Sequence, residues 1–134
     1  GYNFADYFSH WLSFDKPGAK LPKIFHVNWF RKGSNGKFMW PGFGDNLRVL
    51  EWMLKRVTGQ ATANETPIGN LPNASDLNIS GLNLDAASLN QLLEVNREGW
   101  YEEMEAIGEY LQSYGDRTPK ALLDEQEKIA KQLA

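Results

Sequence analysis

The sequence contains no cysteine and only two histidines in 134 residues. Disulfides and thiolate metal sites are therefore excluded, and a reducing compartment, the cytosol, is the default expectation. His10 and His26 lie apart, each without a second ligand at metal-binding spacing, so neither is read as a metal ligand. No apolar run approaches the ~18–20 residues of a membrane span, and the start, Gly1-Tyr2-Asn3-Phe4, has neither an initiator Met nor a signal-peptide pattern. The expectation is a chain that begins inside a larger protein. Absent too are GxxxxGK[ST], GxSxG, HExxH and any Cys/His cluster, so no complete active site is visible. Basic charge is also in short supply: 14 Lys and Arg stand against 17 Asp and Glu, for a net charge of −3. Phosphate neutralisation needs a net basic face, which argues against nucleic acid as the main partner.

What the chain does have is aromatic surface. At 42% hydrophobic, 23% charged and 13% aromatic it reads as one globular domain or part of one. Phe4, Tyr7, Phe8, Trp11 and Leu12 recur at three- and four-residue spacing, which predicts a short amphipathic helix or two, ended by Lys16-Pro17-Gly18. Their ordinary role is packing against protein. Lys23 to Phe30 then mixes β-branched and aromatic residues with alternating faces, the pattern of a strand. Gly33-Ser34-Asn35-Gly36 is a turn sequence, so Lys37-Phe38-Met39-Trp40 is expected to return as the partner strand of a hairpin.

Pro41-Gly42-Phe43-Gly44 turns the backbone sharply, and Asp45 or Asn46 caps a predicted helix running to about Val57. Leu47, Leu50, Leu54 and Val57 form its apolar stripe, widened by Val49, Trp52 and Met53. Residues 60–84, rich in Asn, Gly, Pro, Ser and Thr, read as an irregular surface connector tied down by Ile68, Leu71, Leu77, Ile79 and Leu82. Three more helices follow in 85–134. Asp85 caps the first; the second runs from Arg97 to Ser113 with Trp100, Met104, Ile107 and Leu111 on one face; Thr118-Pro119 opens the last. The class is α+β, a hairpin or short strands followed by helices, in one segment divided as 1–59, 60–84 and 85–134. Glu102, Glu103, Glu105 and Glu109 line a solvated helix face, which is the ordinary reading of such a run rather than catalysis.

Phe30, Phe38 and Phe43 are close enough in sequence to converge on one cleft. Aromatic faces stack on nucleobases at about 1–3 kcal/mol per base, and an amide such as Asn46 offers both a donor and an acceptor to a base edge. Glycines let backbone groups approach a flat ring. On residue types alone the three phenylalanines fit a core equally well. A non-catalytic module whose aromatics meet a protein or carbohydrate is the alternative from another class.

The runs PKIFHVNWFRK, GKFMWPGFGDN and RVLEWM resemble the C-terminal region of the GTP-dependent phosphoenolpyruvate carboxykinases, and GYNFADYFSHWL resembles the segment before it. The likeness covers the whole chain, and is most specific from Pro22 to Met53. It implies a C-terminal piece of the larger α/β nucleotide-binding lobe, with Phe30, Phe38, Phe43 and Asn46 forming the guanine pocket for GTP or GDP. It implies that Trp40, Pro41, Gly42 and Gly44 shape the loop around the base. Asp45 stands where a glutamate is common, which should leave the turn intact. The family converts oxaloacetate and GTP to phosphoenolpyruvate, carbon dioxide and GDP with Mn²⁺ and a second divalent ion such as Mg²⁺. The metal ligands, the phosphate loop and the residues that bind oxaloacetate or phosphoenolpyruvate are expected upstream, so the segment should be inactive alone. The implied parent is a cytoplasmic monomer, and the implied partners are guanine nucleotide and the remainder of the same enzyme.

Overall fold

Two separate stretches of chain, Gly1–Pro22 and Val95–Ala134, make one structural unit, and Lys23–Glu94 makes another, in a computed structural model that describes residues 1–134.

The first unit is helical. Helix α1, Phe4–Leu12, starts where Asn3 Oδ1 accepts from the Ala5 N–H at 2.8 Å, while Asn3 Nδ2 donates to the Tyr114 carbonyl at 3.1 Å. One asparagine thus caps a helix and anchors it to a segment more than a hundred residues later. Helix α4, Arg97–Gln112, is capped by Asn96, and α5, Lys120–Leu133, packs along it. Met104, Leu111 and Leu133 are buried, as their helical spacing predicts. Gly108 is buried as well, because the Gln126 amide lies where a side chain would stand and donates to the Met104 carbonyl at 2.7 Å. Phe4, Phe8, Tyr110 and Tyr114 stack edge to face around the α1 contact. The last helix begins one residue later than Thr118-Pro119 suggests, with Pro119 as its N-cap.

The second unit is built on Trp40, Trp52, Leu77, Leu84 and Leu89, with Trp29, Val49, Met53, Ile79 and Leu92 packed against them. Its helices are α2, Asn46–Val57, and α3, Ala86–Leu93, the latter capped by Asp85 Oδ1 accepting from the Ser88 N–H at 2.7 Å. The paired strands are β1, Asn64–Thr66, and β2, Gly69–Leu71, antiparallel with Glu65 opposite Asn70 and a two-residue Pro67-Ile68 turn. They fall inside the stretch expected to be irregular. That connector also sends Leu77 and Leu84 into the core.

The stretch 23–30 forms no strand: residues 23–28 are irregular and 29–30 turn. Its alternation survives in part: Val27 and Trp29 are half-buried and His26, Asn28 and Phe30 exposed, but Phe25, expected on the inner face, is exposed as well. Asn28 Oδ1, however, accepts from the Phe30 N–H at 3.0 Å, a local turn that competes with a strand ladder. The expected hairpin shrinks to a single antiparallel bridge between Lys32 and Phe38, closed by the Gly33–Gly36 turn. Helix α2 also departs from expectation. Leu47, Leu50, Leu54 and Val57 are exposed, and burial falls on the side carrying Trp52, with Val49 and Met53 partly covered. The widest side chain of the helix, not the leucine stripe, supplies its contact with this core.

Candidate nucleotide-recognition loop

From Phe30, two residues before the Lys32–Phe38 bridge, to Asn46 at the head of α2 the chain carries all four residues expected to form a base pocket. Phe30 stands just before the bridge and Phe38 within it, and their rings meet edge to face with centroids 5.7 Å apart and planes at 62°. Lys32 Nζ lies 5.6 Å from the Phe38 ring centre, a cation over a π-face. The rings are 70% and 57% exposed, so they are surface groups and not core.

Phe43 projects alone. It is 98% exposed, so its ring touches neither Phe30 nor Phe38. The loop that carries it is bent by two successive residues of positive φ, Gly42 at 81° and Phe43 at 45°. Glycine takes such a φ without steric cost, whereas a side chain there costs roughly 1–2 kcal/mol. The Asp45 N–H closes the turn on the Gly42 carbonyl at 3.1 Å and leads into α2. Strained backbone conformations cluster at functional sites, which makes this exposed ring a candidate contact for a ligand.

Asn46, the first residue of α2, is half-buried, and its Oδ1 accepts from the Trp40 indole N–H at 2.9 Å. Trp40 is buried, so the amide is fixed to the core through its oxygen. Arg48 then braces the turn: its Nε meets Asp45 Oδ1 at 3.1 Å, and its Nη1 donates to the Asn78 carbonyl at 2.6 Å. Residue spacing alone pointed to neither Trp40 as a partner of Asn46 nor Arg48 as a brace. The only available signals were an indole donor six residues before an amide and an i,i+3 Asp–Arg spacing.

Phe30 and Phe38 cannot enclose a base between them as they stand. A flat ring held between two others needs parallel walls about 7 Å apart, twice a van der Waals contact, and these two touch at an angle. Nowhere in the chain do three Asp, Glu or His side chains gather as metal ligands, so the residues present do not fit a Mn²⁺ or Mg²⁺ site.

The family model described as the phosphoenolpyruvate carboxykinase C-terminal P-loop domain matches residues 1–132. The chain belongs to the GTP-dependent phosphoenolpyruvate carboxykinase family. Among its relatives, the phosphoenolpyruvate carboxykinase [GTP] of Chlamydia pneumoniae is 52% identical over 99% of this chain and 22% of that protein. The enzyme of that name from Neocallimastix frontalis is 49% identical over the same shares, and the cytosolic [GTP] enzyme of Gallus gallus is 51% identical over 84% of this chain and 18% of its own length. The chain therefore spans about a fifth of the carboxykinases it matches. The α+β character of this family segment agrees with the sequence, although its strands lie at β1 and β2. No helix is long and apolar enough to cross a membrane.

Proposed function

We propose that this segment is the guanine-recognition part of a cytoplasmic, GTP-dependent phosphoenolpyruvate carboxykinase. The observation that carries the reading is the set of three phenylalanine rings held in solvent beside a core-anchored carboxamide, within a chain of this family. Exposed aromatics cost free energy unless something flat covers them, and a purine does. The Phe30–Phe38 pair supplies one stacking face and Phe43 the other. Asn46 meets the edge of the base, where guanine and adenine present opposite donors and acceptors.

The parent reaction is decarboxylation of oxaloacetate followed by transfer of the γ-phosphoryl group of GTP to the enolate oxygen, yielding phosphoenolpyruvate, carbon dioxide and GDP. Divalent cations neutralise the phosphates in such transfers. This segment offers no ligand cluster for them, so Mn²⁺ and Mg²⁺ belong with residues elsewhere in the parent. Its part is to bind and orient the nucleotide at the base end and to keep adenine out, and without the rest of the enzyme it turns nothing over.

Titrating GDP, IDP and ADP into the full-length protein that carries this segment, and following tryptophan emission, tests the reading. GDP and IDP should bind alike and ADP more weakly. Equal response to all three, or none, refutes a guanine site and favours a non-catalytic aromatic surface.

A further inference from the structure

Trp40 is buried next to Asn46 and carries one polar side-chain atom. Its indole N–H donates to Asn46 Oδ1 at 2.9 Å. An indole nitrogen only donates, so the end of the carboxamide that faces it must be the oxygen. The Nδ2 end, with its two N–H groups, is thereby turned away from the indole. A terminal amide torsion is broad and roughly two-fold, and a free asparagine at this position would present oxygen or nitrogen to a ligand with similar ease.

That choice decides which purine fits. At position 6 guanine and hypoxanthine carry an oxygen acceptor, and adenine carries an amino donor. An amide free to turn over serves both. An amide locked with its nitrogen outward serves the 6-oxo purines and sets donor against donor for adenine. We infer that Trp40 is the positioning residue for base selection, holding Asn46 with Nδ2 outward so that the site takes 6-oxo purine nucleotides and rejects 6-amino ones. The inference rests on the guanine-pocket reading above. Trp40 itself need not touch the base, since it acts through Asn46.

The test is calorimetric titration of GDP, IDP and ADP into the full-length protein that carries this segment, as wild type, Asn46→Ala, Trp40→Phe and the double variant. A fifth form replaces Trp40 with benzothienylalanine, which keeps the bicyclic shape and exchanges the N–H for sulfur. Asn46→Ala should lower the GDP-to-ADP preference about tenfold, the scale of one well-made base contact. Trp40→Phe and the benzothienyl form should lose most of the same preference, IDP should follow GDP throughout, and the double variant should lose no more than Asn46→Ala alone. If the wild type does not prefer GDP, or Asn46→Ala leaves the preference intact, the guanine reading itself falls. If Asn46→Ala removes the preference while both Trp40 replacements keep it, the pocket stands and the positioning role is overturned. A Trp40 replacement that weakens GDP and ADP equally identifies a packing role and overturns it as well.

Discussion

Phe43 is the place where stability and binding should separate most cleanly. Its ring is 98% exposed, so removing it forfeits no burial, and its φ of 45° imposes strain on any residue with a Cβ. Phe43→Ala keeps the Cβ and the strain, and should leave the unfolding free energy within about 0.5 kcal/mol of wild type. Phe43→Gly removes the strain of roughly 1–2 kcal/mol, offset by the ~0.5–1 kcal/mol of extra chain freedom that glycine brings to the unfolded state. The net expectation is a gain of about 0.5–1 kcal/mol in urea unfolding of this chain. In the full-length protein both variants lose a stacking wall worth about 1–3 kcal/mol, which is about 5- to 150-fold in the apparent KM for GTP, with kcat little changed because the base lies far from the transferred phosphoryl group. A variant that unfolds more easily by over 1 kcal/mol would mean that the ring is buried in solution. An unchanged KM would remove Phe43 from the nucleotide site.

Trp52 is 4% exposed and its indole N–H has no partner, so Trp52→Ala should cost ~3–5 kcal/mol, whereas Trp52→Phe gives up bulk but also an unmet donor and should cost under ~2 kcal/mol by chemical denaturation. At Gly108 an added Cβ would meet Gln126 Nε2 at 3.2 Å, so Gly108→Val should destabilise the chain by ~1–3 kcal/mol through displacement of that amide, read in the same assay. The Ser88 backbone N–H, hydrogen-bonded to the Asp85 carboxylate, holds its pKa below the ordinary 3.8. A lowered carboxyl pKa stabilises the fold fully above the unfolded value and is lost as the pH falls through the folded one. The stability gap between wild type and Asp85→Ala should therefore be constant near neutrality and close below about pH 4, and a gap that widens in acid would contradict the cap.

The helices were legible because each depends on information within a few residues. The Asp85 cap, the Met104–Leu111 spacing and the helix on Phe4–Leu12 all appear where local pattern puts them, although Phe4, Tyr7 and Trp11, expected to pack against protein, are exposed. The strands were not. β1 and β2 form in a polar stretch where the Thr66 hydroxyl donates to the Gly69 carbonyl across a two-residue turn, and nothing in their side chains announces a strand. The run Lys23–Phe30 announces one and lacks a partner, because Asn28 ties up the Phe30 N–H. The α2 stripe misled for a different reason. Periodicity identifies an apolar face without saying which neighbour covers it, and Trp52 outweighed four aliphatics in choosing the side that meets this core. The exposure of Phe30, Phe38 and Phe43 follows the same division. Their types and spacing were plain, whereas the tilt between Phe30 and Phe38 and the Trp40–Asn46 bond belong to side-chain geometry that no spacing rule encodes.

The first unit takes its halves from opposite ends of the chain, with roughly seventy residues of the second between them. Bringing Asn3 to Tyr114 and Asp6 to Arg117 closes that whole span, at an entropic cost near 4 kcal/mol for a flexible loop. The second unit draws on contacts nearer in sequence, so it is the part able to form while the chain is still emerging, and its folding shortens the loop left to close. Synthesis order therefore favours the base-recognition loop maturing before the helical unit. A truncation that removes either the first dozen residues or the last thirty should strip away one unit and leave the aromatic loop with its own core.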